Sequence, residues 1–524
     1  MLIYKSNSLH FFFSVCCFIF LFSCQENFNR NNTHLQTSLS SIRNGKELAA
    51  RYCQSCHLLP DPSLLDSKTW EKGILPNMGP RLGIFFYDFE YYPSSKNDRN
   101  IGLNFYPSQP ILKLEEWQNI IDYYTAVSPD TLPAQHRLYP IQQIESLFAV
   151  QVPVTCYSNS ATSFIKINTT DSLHPLIISD AITKKTFVFD RNLKVTDSVT
   201  GGAIVNMDFY QKSILTCDIG ILNPNNGKFG KARYISFNQK GKLKSDSIPL
   251  FDSLQRPVQV SAADLNNDGR TDYVICEFGY LTGSLSWMEN LGNNKFSRHV
   301  LRGLPGAIKA YIQDYNHDGL PDLWVLFAQG EEGIFLYTNK GNGQFSEEEV
   351  LRFPPVYGSS YFELADFNKD GYPDIVYTCG DNADFSPILK PYHGVYIYLN
   401  DKTNHFKQIF FFPINGCYKA IARDFDGDGD LDIAAISFFA DYANQPEEGF
   451  VYLKNTGNFN FLPYTIPEAT QGRWLTMDAG DIDGDGKIDL VLGNFSIGPV
   501  MKNAKVDWKK APPFILLKNI GNSK

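Results

Sequence analysis

Cys53, Cys56 and His57 form a Cys-x-x-Cys-His segment, flanked by Arg51 and Tyr52. Thiols at this spacing reach the two vinyl groups of one porphyrin while the adjacent imidazole reaches its iron, which is the signature of c-type haem attachment. A thioredoxin-like redox pair or half a zinc site would use the same cysteines, but there is no second Cys-x-x-Cys and no βαβ pattern around this one. Met78, on the Pro- and Gly-rich stretch 75–80, is the expected sixth ligand, since a thioether opposite histidine raises the potential and suits electron transfer. The sequence thus predicts one covalent haem c on Cys53 and Cys56, with His57 and Met78 axial.

A second chemistry lies in five nine-residue segments that share Asp-x-[Asp/Asn]-x-Asp-Gly-x-x-Asp. Positions 1, 3, 5, 7 and 9 are Asp264, Asn266, Asp268, Arg270 and Asp272 in the first and Asp314, Asn316, Asp318, Leu320 and Asp322 in the second. In the third they are Asp366, Asn368, Asp370, Tyr372 and Asp374, in the fourth Asp424, Asp426, Asp428, Asp430 and Asp432, and in the fifth Asp481, Asp483, Asp485, Lys487 and Asp489. A hard cation such as calcium takes six to eight oxygens, and a tight loop offers side chains at 1, 3, 5 and 9 and a backbone carbonyl at 7. Glycine at position 6 lets the chain turn there. An EF-hand needs flanking helices and an acid at position 12, so this is not one. Unneutralised, so many clustered carboxylates repel, and about five calcium ions would more than offset the formal net charge of -9. Metal-free Asx turns are the simpler alternative.

The elements that position these groups follow from periodicity. Leu48, Ala49 and Tyr52 fall on one helical face before the cysteines, and Trp117, Ile120, Ile121 and Tyr124 predict a second helix over 112–128, stopped by Pro129. The five acidic motifs start 50, 52, 58 and 57 residues apart. Each runs into an apolar strand, 273–276, 323–327, 375–377, 433–436 and 490–492, then into another strand that ends near Asn290, Asn339, Asn400, Asn455 or Asn519. A closing Phe strand follows in most units (Phe296, Phe345, Phe406, Phe461), so four short strands recur every ~50 residues, the description of a propeller blade.

The helix ending in Cys-x-x-Cys-His, the Met78 loop and the aromatic second helix resemble a class I cytochrome c over about 44–135. That resemblance implies crossed terminal helices and a haem edge open to electron exchange. The long aromatic stretch 83–110 departs from it, and is expected to cover the haem edge, pack on the next domain or dock a partner. The repeats resemble the FG-GAP or VCBS repeats of integrin α-subunit propellers and of exported bacterial proteins. This implies seven blades, with calcium loops between strands. Only five units carry the acids, so two blades are degenerate: 164–190, and 206–237 with Met207, Asp208 and Phe209 at the loop position.

The chain start reads as an export signal, with Lys5 and an apolar run over 11–22 that is too short to span a bilayer. Leu21, Phe22, Ser23 and Cys24 resemble a bacterial lipobox, which implies cleavage before Cys24 and acylation of its thiol. The expected organisation is therefore multidomain: a lipoprotein signal at 1–23, a flexible polar tether at 24–43, a small all-α cytochrome c-like domain at 44–136 and an all-β propeller at 137–524. Of the remaining cysteines, Cys156, Cys217, Cys276, Cys379 and Cys417 are expected mostly as buried small hydrophobes. Acidity argues against a nucleic-acid surface. Insertions at 380–393, 438–448 and 494–512 are candidate docking loops for a carbohydrate or protein ligand. The favoured reading is an exported, lipid-anchored electron carrier on the periplasmic or cell-surface side of a bacterial membrane, with a redox partner protein. An oxidoreductase whose propeller binds substrate and whose haem accepts electrons is the alternative, although no GxGxxG and no acid–base constellation is present. Pure adhesion or glycan binding leaves the haem segment unexplained.

Overall fold

The computed structural model describes residues 28–144, 146–154, 159–210, 213–383, 385–499 and 506–521. The expected signal, Cys24 and Cys156 lie outside these residues. Among the described residues no helix is long and apolar enough to cross a membrane.

Two helices of the N-terminal segment cross. The first, Leu39–Tyr52, is N-capped by Ser38, whose hydroxyl accepts from Ser41 N at 3.1 Å. The second, Leu114–Val127, is held by a capping box in which Glu116 accepts from Lys113 N at 2.8 Å. Ile42 and Ala49 of the first pack with Trp117, Ile120 and Tyr124 of the second and with Trp70 between them. At the crossing stands Gly45, where a Cβ would lie 1.9 Å from Asn119 O. Gly45→Ala should therefore push the helices apart and cost ~1–3 kcal/mol of stability in urea titrations, whereas the same change at an exposed helical glycine stabilises by about 0.4–1 kcal/mol.

The polar tether is shorter than the sequence implied. Within 28–43 a turn forms at Asn32–His34 and the first helix begins at Leu39. The Asn31 amide donates to Thr125 O at 2.6 Å and Ser128 O at 2.8 Å, fastening this stretch to the end of the second helix. Caps and a long-range hydrogen bond outweigh a composition that reads as linker.

The rest is a seven-bladed β-propeller. Seven antiparallel sheets follow one another, their innermost strands being Thr162–Ile167, Ile204–Tyr210, Pro257–Ala263, Ala307–Gln313, Ser359–Ala365, Cys417–Arg423 and Trp474–Gly480. The second strands, such as Asp322–Phe327 and Asp432–Ser437, are buried along their whole length, which is why they read as continuous apolar runs. The outer strand Phe345–Phe353 carries Glu347, Glu348 and Glu349, charges that blunt an exposed edge. The ring closes through Phe148–Gln151, which supplies the outer strand of blade 7 by pairing antiparallel with Phe514–Asn519. Gln142–Gln143 adds a short parallel strand to blade 6.

Blades 1 and 2 fall where the degenerate repeats were expected, with one correction. Met207, Asp208 and Phe209 do not form a loop; they lie inside the strand Ile204–Tyr210, with Asp208 paired to Leu215. Cys217, Cys276, Cys379 and Cys417 are buried and free.

The helical segment packs on the blade ends opposite the acidic loops. Val356, Ile388 and Tyr392 of the propeller join the core around Trp70 and Trp117. Tyr392 donates to Leu64 O at 3.1 Å, and Gln135 to His393 O at 2.8 Å. The aromatic stretch 83–110 makes a small hairpin, Phe86–Tyr87 with Glu90–Tyr91, and reaches blade 2, where Asn226 donates to Asp98 at 2.9 Å.

Candidate metal centres

The Cys-His segment terminates the first helix. Cys53 is the C-cap, its N–H donating to Ala49 O, and Cys56 N turns back to Cys53 O at 3.4 Å. This tight turn presents two free thiols, Cys53 half-buried and Cys56 exposed. Burial, with Cys56 beside it, pushes the Cys53 thiol up to about 11. His57 Nδ1 bonds Leu58 O at 2.9 Å, and among the described residues its Nε2 has no hydrogen bond. Burial lowers the His57 pKa; the Leu58 carbonyl opposes this and Arg352 of blade 4 adds to it. Met78 ends the short helix Leu75–Met78 and packs, with Cys53, Tyr52 and Leu59, on the same core. The structure thus brings Cys53 and Met78 to one cluster from opposite sides of a chain excursion of ~25 residues.

The five acidic loops repeat one geometry. The carboxylate at position 1 accepts from the N–H groups of positions 5 or 6, as Asp264 does from Asp268 N at 3.1 Å and Gly269 N at 2.8 Å. Position 5 accepts from the N–H of position 7, at 2.9 Å for Asp268 and Arg270, 2.9 Å for Asp318 and Leu320, and 3.0 Å for Asp370 and Tyr372. The same bond is 3.0 Å for Asp428 and Asp430, and 3.0 Å for Asp485 and Lys487. These bonds turn the side-chain oxygens inward. The three acids Asp424, Asp426 and Asp432 each offer an oxygen within 4.8 Å of the others, as do Asp481, Asp483 and Asp485. In the first three loops position 3 is asparagine, Asn266, Asn316 or Asn368, an amide oxygen in place of a carboxylate.

Position 9 has a different role. Asp272, Asp322, Asp374, Asp432 and Asp489 are fully buried and open the second strands. One oxygen accepts from the N–H of position 2, the other from the asparagine that ends the third strand: for Asp489, Ile482 N at 3.0 Å and Asn519 N at 2.8 Å. Burial pushes the Asp489 carboxyl up to about 6 and that of Asp432 to about 7; hydrogen bonds oppose this in both, and nearby aspartates reinforce it. Sequence reasoning saw the recurring asparagines only as strand ends. Their amides in fact tie loop to blade, Asn455 to Leu431 O at 3.1 Å, and blade to blade, Asn519 to Phe425 O at 2.6 Å and Asn339 to Leu265 O at 2.8 Å. Their regular place after each second strand was the available signal.

Cations not anticipated from the motif also meet the loops. Arg270 pairs with Asp268, Lys454 with Asp426 and Lys518 with Asp483, while Lys402 lies 3.5 Å from Asp370. The blade 6 loop opens on a groove of about 540 Å³ lined by Asp426, Asp428, Tyr452, Lys454 and Tyr464. The insertions 438–448 and 494–512, where described, wrap Arg473, which is fully buried with its guanidinium 3.6 Å from the Phe438 ring centroid; the Tyr442 and Trp508 rings meet beside it, tilted, with centroids 4.6 Å apart. The 380–393 insertion meets the helical segment.

Residues 264–325, 314–377 and 424–492 match the FG-GAP-like repeat. Cartilage acidic protein 1 of Mus musculus is 24% identical over 307 residues, 53% of this chain and 46% of its own length, so the chain spans about half of the relative it matches. Among solved structures, the N-terminal domain of Nup159 is similar at a TM-score of 0.41 and 10% identity, covering 72% of this chain and 97% of that one. Sqt1 of Saccharomyces cerevisiae is similar at 0.43 and 10%, covering 70% and 98%. All five acidic loops fall inside the matched segments, and the chain carries FG-GAP-like repeats built into a seven-bladed β-propeller.

Proposed function

We propose that this chain is an exported, lipid-anchored c-type cytochrome that works in electron transfer, its propeller stapled by calcium and used for docking. The observation that carries the reading is the donor set at the end of the first helix: two uncommitted thiols on one turn, an imidazole whose Nδ1 is held by Leu58 O so that Nε2 is free, and a thioether on the same core. Cys53 and Cys56 would hold the porphyrin, and His57 and Met78 its iron. Haem bound there supplies a one-electron couple. The protein's part is to orient the imidazole through Leu58 and to keep water from the Met78 side by packing Trp70, Leu75 and Tyr92 near it.

For the loops, what supports calcium is the gathering of acids at positions 1, 3 and 9 in the fourth loop and 1, 3 and 5 in the fifth, the turn that engages the N–H of position 7, and the buried acid whose like-charged neighbours a cation would relieve. The loops sit at the far blade ends from the helical segment, so their cations are architectural.

The test is the visible spectrum of protein made with haem-attachment machinery, with a stain for covalent haem after denaturation. A low-spin His/Met spectrum is expected, and Met78→Ala should convert it to one that binds small haem ligands at least ~10-fold better, as an opened iron position requires. Protein without covalent haem, or an unchanged Met78→Ala spectrum, removes the assignment.

A further inference from the structure

The hairpin of the helical segment presents aromatic rings to solvent. Its strands pair Phe86 with Tyr91 and Tyr87 with Glu90, so Asp88 and Phe89 form a two-residue turn. Both turn residues have positive φ, 44° for Asp88 and 61° for Phe89. Such a turn is ordinarily built from Asn, Asp and Gly, because a bulky residue in that conformation sets its Cβ against the following carbonyl. Phe89 nevertheless stands there, 92% exposed, and Tyr91 and Phe86 beside it are 86% and 48% exposed, their ring centroids 4.9 Å apart. Neither folding nor solubility is served by a solvated phenylalanine in a strained turn, so these rings mark a contact surface.

The base of the hairpin is fixed. Tyr92 N donates to Phe85 O at 2.9 Å, Trp117 Nε1 donates to the Tyr92 hydroxyl at 3.2 Å, and the Tyr87 hydroxyl donates to Gln118 of the second helix. Tyr92 lies against Gly79, where a Cβ would stand 2.4 Å from its ring. Gly79 follows Met78, so the base sits beside the proposed axial ligand. The tip stands about 10–13 Å further out, at three or four residues of strand rise. An anchor held this firmly loses little freedom on binding.

Charge decides among the occupants. Asp88 and Glu90 bracket Phe89; both are exposed, and among the described residues neither carboxylate has a cationic nitrogen within 4.0 Å. A bilayer is disfavoured, because seating Phe89 in the lipid interface would carry two carboxylates with it. A second copy of this chain, docked on the same patch about a two-fold axis, would set these acids against each other. An apolar socket rimmed by Lys and Arg fits both the rings and the charges. We propose that the hairpin tip, with Phe86, Phe89 and Tyr91 between Asp88 and Glu90, is the docking point for a redox protein whose surface offers an apolar pocket with a basic rim, held on the Met78 side of the haem site. This rests on the electron-transfer reading above and adds a docking element on the helical segment to that of the propeller.

Photo-crosslinking in the producing cells tests it, with benzoylphenylalanine in place of Phe89 in the full chain and mass spectrometry of the adduct. A protein that carries its own redox cofactor is expected, and the purified pair should bind more weakly as salt rises. Phe89→Ser should weaken that binding by at least ~10-fold, since it removes an aromatic anchor, and Asp88→Asn combined with Glu90→Gln should weaken it as much and flatten the salt dependence. Leu173→Ser, at a 75% exposed position on blade 1, should leave it unchanged. Circular dichroism establishes that each variant is folded. A lipid adduct, a second copy of this chain, a protein without a redox cofactor, no adduct, or unchanged affinity in the folded hairpin variants overturns the proposal. Crosslinking needs no haem, so these outcomes are separate from the haem stain: a chain without covalent haem removes the electron-transfer reading, and with it the redox role of whatever protein is caught.

Discussion

Chelation of divalent cations should lower the Tm of the full chain by on the order of 10 °C, because each site filled at ~100 times its Kd stabilises the folded state by ~2.7 kcal/mol and five loops share the design. The loops are turns whose N–H groups already point at the position 1 carboxylates, so they stay folded without metal but carry the repulsion of their acids. Calcium should restore the Tm. Magnesium should restore little, because it keeps its waters and takes few protein ligands. Differential scanning calorimetry with and without chelator, followed by re-addition of each ion, reads this directly. A Tm that moves by less than ~2 °C, under the effect of one such site, would remove calcium from the account.

Replacing the buried acid at position 9 should be more damaging than replacing an acid in the loop proper. Asp432 accepts from Phe425 N at 3.3 Å, Asn455 N at 2.7 Å and the Tyr452 hydroxyl at 2.6 Å. Asp432→Ala leaves these donors buried without an acceptor, at ~1–3 kcal/mol each, so a loss of ~3 kcal/mol or more is expected with or without calcium. Asp426→Ala leaves that network intact and removes a side chain directed at the loop interior and at Lys454, so its cost should be confined to the calcium-loaded protein. Chemical denaturation of both variants in calcium and in chelator separates the two roles. Equal losses in both conditions for Asp426→Ala would show that its contribution is structural.

Local pattern explains how much of this molecule could be read in advance. The acidic loops, the strands after them and the second helix are contiguous stretches whose spacing alone defines them, and each was found within about two residues of its expected place, as with the second helix at Leu114–Val127 against 112–128, whereas the first helix starts at Leu39, inside the expected tether. The blade count of seven came from the resemblance to FG-GAP repeats, since the period by itself marked only five full units. Asp208 shows the limit: an acid beside apolar residues reads as a remnant loop, yet burial of Ile204 and Met207 against blade 1 draws the whole stretch into a strand.

By itself, then, the amino-acid sequence determined the repeat, the acidic loops and the Cys-x-x-Cys-His segment, because each depends on residues close to one another in the chain. Only the tertiary structure decided that Phe148–Gln151 closes the last blade, that the 380–393 insertion packs under the helices, and that an asparagine such as Asn519 ties one blade to the next. Those residues are brought together from 94 to 371 positions apart by the way the chain returns, and no local periodicity records a contact whose partner is set by that return.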